Sequence, residues 1–456
     1  MTRGIGVLIG HGLRAVSVLS IRAGGTVAAF LLQVLMARTM GAAETGLAAA
    51  AMSAALVAGL AATAGYQAGS TRFIVQNETL GRRDLALGFI RRGWTVVAVT
   101  GPLAAAAGLA LAWTDGDLGG TVFGVWGYAA LTVPFMALLL LDSGYAHGCS
   151  RFTLSFLPSA FLRQTLLLAV VAGGVAAGFA WSAAGVVAVF FGVVEVSALG
   201  RWLVLRRHVA RRLAGVVPAY DTRHWIGTGA ELSILLLFSG LYGDLVVVLA
   251  ALVLPPAEVA YLNAAVRFAG VLGFIVYAVN ATLEPRLSAM VAHGDHKGMQ
   301  ALLRLGVHLR VWPVLAAAAL TVPFGGALLG LFGADFRAGH GALMVLSLSQ
   351  GLMAATGPVF MLLSITRRQR TAFALLAGLL AATVVLVPVA AALSGVTAVA
   401  WVFFAVTAVW CVVLRRRLLA ALGGDPSVLA AWRPDDVRLG ETAAHPALAG
   451  GTGHDR

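Results

Sequence analysis

The chain has 456 residues, of which 60% are hydrophobic and 11% charged, with a net charge of +13 and a mean hydropathy of +0.90. Soluble domains carry roughly 25% charged residues, so a single water-facing globule is excluded and a membrane protein is expected. The positive charge comes from Lys297 and 31 Arg, gathered in short segments between apolar runs. No basic stripe is interleaved with exposed aromatics, which argues against nucleic acid as a partner. Arg in place of Lys, with so much Ala and Gly, points to a GC-rich bacterial genome.

A spanning helix needs ~20 mostly apolar residues, and twelve segments meet that length: 15–37, 46–70, 94–113, 121–142, 155–179, 182–204, 230–253, 259–283, 309–331, 341–364, 371–393 and 396–414. The run after Arg14 is long enough to span, and no A-x-A site follows a short apolar stretch, so it does not read as a cleaved signal. No insertion is long enough for a soluble domain. The tail from 419 to 456 is polar and Gly-rich, and reads as a partly disordered cytoplasmic extension. Placing both termini in the cytoplasm puts all Lys and Arg except Arg38, Arg267 and Arg337 in cytoplasmic segments or near cytoplasmic helix ends. The short outer loops carry Glu44, Asp115, Asp117, Glu258 and Asp335. The expected location is the bacterial cytoplasmic (inner) membrane, surrounded by membrane lipids. The two cysteines, Cys149 and Cys411, form no disulfide framework and no metal-ligand spacing.

The second half repeats the first. At an offset of 214, eight of the 22 residues of Phe30–Ala51 are identical to those of Asp244–Ala265, including Ala43-Glu44 with Ala257-Glu258. The same offset sets Arg72 on Arg286, and a shift of one sets Gly81, Arg91 and Gly93 on Gly294, Arg304 and Gly306. Six helices separate the halves, so the repeats share a topology and are related by an axis along the membrane normal. The expected fold is an all-α membrane protein of about 12 transmembrane helices. It forms two six-helix bundles, 1–208 and 230–418, joined by a basic cytoplasmic linker at 209–229 and enclosing a central cavity. That is the architecture of an alternating-access transporter.

Leu35-Met36-Ala37-Arg38-Thr39-Met40-Gly41, continuing to Gly46, resembles the L-x-A-R-x-L-G-x-x-x-x-G entry of polysaccharide flippases in the multidrug/oligosaccharidyl-lipid/polysaccharide exporter (MOP) superfamily. Asp244-Leu245-Val246-Val247 followed by Val259-Ala260-Tyr261 and Ala264, Arg267 is similar to that group's D-x-x-x…V-G-x-Y-x-x-A-x-R, with Ala260 in place of the usual Gly. Pro285-Arg286-Leu287-Ser288 with Gly294-Asp295, and Leu331-Phe332-Gly333-Ala334-Asp335-Phe336, resemble its P-x-x-S…G-D and L-F-G-x-x-F segments. The resemblance spans about residues 15–415. It implies a flippase for an undecaprenyl-pyrophosphate-linked oligosaccharide in surface polysaccharide export, with a polysaccharide polymerase or assembly machinery as possible partners. No cofactor is implied.

Charges in hydrocarbon are costly and mark candidate sites. Arg22 lies ~10 Å from the inner end of helix 1, and Arg267 ~12 Å from the outer end of helix 8. Asp244 stands at nearly the depth of Arg267, and Glu195 near the middle of helix 6. Arg22 and Arg267, one from each half, are candidates to bind the pyrophosphate or acidic sugars, because guanidinium offers planar bidentate donors and stays charged at any depth. The plainer reading is that Arg22 snorkels and Arg267 pairs with Asp244. Asp244 would neutralise Arg267 in the empty cavity or carry a coupling proton. Glu195 is a coupling candidate or a hydrogen-bonding partner of a neighbouring helix. Arg163 is close enough to the inside to snorkel. Gln33, Asn263, Asn280 and Gln350 could meet sugar hydroxyls or neighbouring helices, and Tyr242, Tyr261 and Tyr277 could stack on sugars or pack. No Ser/His/Asp set, carboxylate pair, metal cluster or phosphate loop suggests an enzyme. His293 and His296, beside Asp295, read as solvated loop residues. A drug or cation antiporter would favour a cavity dominated by carboxylates, and a lipid II flippase two further helices.

Overall fold

The computed structural model describes residues 2–114, 124–293, 296–359, 362 and 369–422. Among them the chain is helical and without strands. In chain order the helices are α1 (Thr2–Ala62), α2 (Tyr66–Thr79), α3 (Arg83–Thr114), α4 (Val125–Gly148), α5 (Phe152–Ala176) and α6 (Ala183–Arg212). They continue with α7 (Thr222–Ala251), α8 (Pro256–His293), α9 (His296–Leu329), α10 (His340–Thr356) and α11 (Gln369–Leu422). Nine stretches within them are long and apolar enough to cross a membrane. In a bilayer the backbone must satisfy its own hydrogen bonds, which is why these apolar runs wind as helices.

Two of the nine are double length. The 43-residue stretch of α1 breaks at Gly41 (φ 79°, ψ 175°), leaving about 21 residues on each side. Each arm is ~30 Å long, the thickness of a bilayer core. The 46-residue stretch of α11 breaks in the same way at Ser394 and Gly395. These breaks fall between the expected helices 15–37 and 46–70 and between 371–393 and 396–414. Helix ends elsewhere differ from expectation. Segment 46–70 does not run through: it stops at Ala62, turns through Ala64 (φ 46°) and Gly65 (φ 87°), and restarts as α2. Segment 341–364 is interrupted at Gly357 (φ 99°), where Pro358 cannot supply the N–H that would carry α10 onward. Segments 259–283 and 309–331 extend into the longer helices α8 and α9, which take in the polar flanks 284–293 and 296–308. Residues 157–162 of α5 and 237–241 of α7 wind as π-helix. The tail beyond 422, the outer-loop acids Asp115 and Asp117, and Gly294-Asp295 lie outside the described residues.

The apolar core is divided. Two clusters bind the first half together. One packs Tyr66, Phe73, Phe89, Leu141 and Tyr145, and the other Leu32, Met36, Met136, Val187 and Phe190. The largest cluster joins α7, α8, α10 and α11 and takes in Ala37, Ala50 and Leu60 of α1. The two parts of the chain therefore meet along α1 and at the start of α2, and small residues set the spacing. A Cβ on Gly46 would fall 1.7 Å from the Pro256 carbonyl oxygen, and one on Gly65 2.5 Å from the Gly229 backbone. Between membrane helices there is little hydrophobic drive, so close backbone approach supplies the contact.

Cys149 sits just past α4 and Cys411 inside α11, both buried and unpaired. Burial, with Glu78 nearby, pushes the Cys149 thiol up to about 11. The thiolate is the reactive form and is scarce below that pH. A membrane-permeant maleimide at neutral pH is expected to leave the folded protein unlabelled and to label both thiols after denaturation, as counted by mass spectrometry.

Candidate functional site

A small, partly open cavity lies where α1, α5, α6, α7 and α8 meet. The first arm of α1 gives Gln33 and the second Ser53, α5 gives Arg163 and Gln164, α6 gives Phe190, α7 gives Asp244 and α8 gives Arg267. Asp244 stands in the turn just after the π-helical stretch of α7. A π-turn shifts the register of the side chains that follow it, a common device at functional sites. Here the residue it precedes points inward: Asp244 is 6% exposed. Its Oδ1 accepts from Arg267 Nη2 at 2.7 Å and from Ser53 Oγ at 2.9 Å. The pair expected between Asp244 and Arg267 is thus present, and Ser53 ties it to the other half.

Gln33 also reaches across. Asn263 Nδ2 donates to Gln33 Oε1 at 3.1 Å, while Asn263 Oδ1 is buried with no partner in the protein. Gln33 lines the cavity, and Asn263 stands behind it. The amides predicted to meet sugar or neighbouring helix therefore meet each other, leaving the remaining atoms of Gln33 at the cavity wall.

Arg163 is the main residue that the sequence reading underrated. Instead of snorkelling, it enters the cavity beside Arg267. Its Nη1 approaches Met136 Sδ at 3.6 Å, the guanidinium lies 5.9 Å from the Phe190 ring, and Nε is buried with no protein partner. The signal available in sequence was Arg163-Gln164 in an apolar helix just after Pro158, where a π-turn alters which way the side chains face. Ser53, a small hydroxyl in an Ala-rich helix, carried no signal at all.

Arg22 is not among the lining residues. It donates from Nη1 to the Tyr277 hydroxyl at 2.9 Å and stacks 3.9 Å from the Tyr277 ring centre, with the Phe156 ring at 5.4 Å. It still joins the halves, since Tyr277 belongs to α8. A cation over an aromatic face contributes ~0.5–2 kcal/mol. Arg22→Ala is therefore expected to lower the thermal unfolding midpoint by a few degrees and to reduce transport less than loss of Arg267. Equal transport defects in the two variants would place Arg22 in the binding site.

Glu195 lies half-buried on α6, away from the lining and outside the ion pairs among described residues. Asn280 accepts from Arg310. Tyr242 is packed in the core with its hydroxyl on Thr383, and Tyr261 meets Phe336 edge-on. None of these four lines the cavity.

At the end of the molecule bearing Gly41, the halves are latched. Arg38 donates from Nε to Leu331 O at 2.8 Å and from Nη2 to Gly330 O at 3.0 Å, satisfying carbonyls at the end of α9. The Phe30, Phe268 and Phe332 rings pack edge-on against one another across α1, α8 and the turn after α9.

No protein-family model matches the sequence, and no curated protein does. Solved structures do match. The chain superposes on an inward-facing MATE family multidrug resistance transporter of the MOP superfamily with a TM-score of 0.61 and 15% identity, covering 89% of this chain and 98% of that one. Its fold is that of the MOP superfamily transporters. The lipid II flippase MurJ, in an inward closed conformation, gives a TM-score of 0.66 at 12% identity over 88% of this chain and 87% of that one. An outward-facing MATE family transporter gives 0.58 at 15% identity, covering 89% and 96%. A fold shared with these transporters thus spans 88–89% of the chain.

Proposed function

We propose that the chain flips a lipid-linked, undecaprenyl-pyrophosphate-type oligosaccharide from the cytoplasmic to the outer leaflet of the bacterial inner membrane by alternating access. The cavity's charge carries this reading. Two guanidinium groups, Arg163 and Arg267, face one carboxylate, Asp244, and that carboxylate is already engaged. The surplus positive charge sits in a low-dielectric site, where attraction to an anion is much stronger than in water. Planar guanidinium groups match phosphate oxygens with paired donors. Gln33 and Gln164 add amide groups suited to sugar hydroxyls. The two halves, 1–208 and 230–418, act as bundles that part alternately on either side, and their separation admits the head group. Both termini lie in the cytoplasm, and the polar tail stays there.

A lipid II flippase would use the same pyrophosphate chemistry. The carboxylate of Asp244 supports a different reading, a cation-coupled drug antiporter in which cargo displaces Arg267. Deleting the gene in its host while measuring surface polysaccharide and lipid-linked precursors separates the three. Loss of surface sugar with accumulation of its lipid-linked precursor, restored by wild type but not by Arg267→Ala or Arg163→Ala, is the expected result. Accumulation of the peptidoglycan precursor would indicate lipid II. Unchanged lipid-linked pools with altered sensitivity to cationic drugs would indicate the antiporter.

A further inference from the structure

A second set of buried charges lies in the first half, outside the cavity lining. Asp142 on α4 is 0% exposed and Arg201 on α6 is 2% exposed. Asp142 Oδ1 accepts from Trp94 Nε1 at 2.7 Å, whereas Oδ2 has no partner in the protein. Arg201 Nη1 donates to Leu139 O at 3.0 Å, while Nε and Nη2 have no partner in the protein. The two side chains feel each other's field but form no direct ion pair. They stand where the two apolar clusters of the first half meet along α4 and α6, beside Leu139, Leu141, Tyr145, Ala198 and Leu205.

An ionised carboxylate with an empty-handed oxygen in such a shell is costly, because burial penalises the charged form. A neutral acid has an O–H to donate and needs far less compensation. We propose that Asp142, held by Trp94 and faced by Arg201, is a proton-binding site of this protein, distinct from the cavity acid Asp244. The indole of Trp94 fixes Oδ1 as the acceptor, so the proton resides on Oδ2. Arg201 is the charged group nearest Asp142 along the α4–α6 contact, its Nη1 donating one turn away to Leu139 O, and a neighbouring cation favours the ionised carboxylate. It keeps the proton exchangeable rather than permanent. The other ionisable groups facing this locus are the Tyr145 hydroxyl of α4, which donates to Phe89 O, and the Tyr66 hydroxyl of α2. Arg201 in turn feels Arg163 of α5, and Arg163 feels Asp244 and Arg267. Charges each within electrostatic reach of the next therefore run from Asp142 to the cavity wall. A charge change at one end, such as proton uptake, alters the field on the cation that faces the cavity.

The test is pH-difference infrared spectroscopy on the full chain in lipid nanodiscs. A carboxylic acid C=O band that titrates as one proton is expected. Asp142→Asn, which keeps an oxygen for Trp94, should abolish it, while Glu195→Gln should leave it intact. Arg201→Gln removes the opposing charge and should tighten proton binding by about tenfold or more. It also keeps the test open if Asp142→Asn does not fold. Arg163→Gln should move the titration in the same direction by less. A band that survives Asp142→Asn, or no titrating acid band at all, would mean that Asp142 exchanges no proton, and would overturn the proposal. A titration unmoved by Arg163→Gln would overturn the connection to the cavity. None of these readings depends on the cargo, so a failed flippase assignment would leave the proton site standing or falling separately.

Discussion

Arg267→Ala is expected to abolish transport and to destabilise the protein at the same time, while Arg267→Ala with Asp244→Ala restores stability without restoring transport. The reason is the arrangement around Asp244. Its carboxylate side chain is 8% exposed and its Oδ1 holds both Arg267 and Ser53. Removing the guanidinium leaves a buried carboxylate with a single hydroxyl donor. Breaking one side of a buried pair costs ~3–5 kcal/mol. The Arg267 side chain is 35% exposed, so solvent can partly take its place and ~1–3 kcal/mol is the fairer figure. Removing the carboxylate as well takes away the uncompensated charge and most of that cost. Transport does not return, because the cavity has lost a cation that would meet the cargo. Thermal unfolding in detergent, read beside lipid-linked precursor accumulation in cells, checks both halves of the statement. A double variant as active as wild type would show that the pair is only structural.

The second large effect is expected at Gly46. A methyl group there would sit 1.7 Å from the Pro256 carbonyl oxygen and 3.1 Å from the Ala260 nitrogen. Both atoms belong to the α8 backbone, so no side-chain rotation can make room. In Gly46→Ala the seam between α1 and α8 must open, which strains a well-packed contact by ~1–3 kcal/mol or more. The Arg38 latch closes the same end of the molecule. The variant should therefore favour a state open at that end, and slow the cycle by holding it there. Because Cys149 and Cys411 are buried, a cysteine introduced at Ser53 in a Gly46→Ala background offers a clean probe. Its labelling by an impermeant reagent should rise several-fold over the same cysteine in a Gly46 background. Unchanged labelling with a stable protein would show that the close approach is not a gate.

The sequence alone determined the class of fold. Runs of ~20 apolar residues can only be helices in a bilayer, since the solvent offers no partner to a free backbone group. The joints at Gly41 and Gly395 were legible because each interrupts an apolar run of double length. The motifs around Arg38, Glu258 and Arg267 pointed to a transporter fold that solved structures share with this chain at only 12–15% identity. The pairing of Asp244 with Arg267 was foreseeable too, because both sit at one depth on adjacent helices. What lines the cavity was decided by tertiary structure. Depth in the membrane says nothing about which way a side chain faces, and in helices this uniformly apolar no polar stripe marks the inner face. Arg22 and Arg163 show the difference: one turns onto Tyr277 and the other into the cavity. Two stretches of π-helix shift the facing of the residues beside them, a change no periodicity count registers. The Asp142–Arg201 site was equally hidden. Its residues are 59 positions apart, and only the packing of α4 against α6 brings two costly charges into one apolar shell.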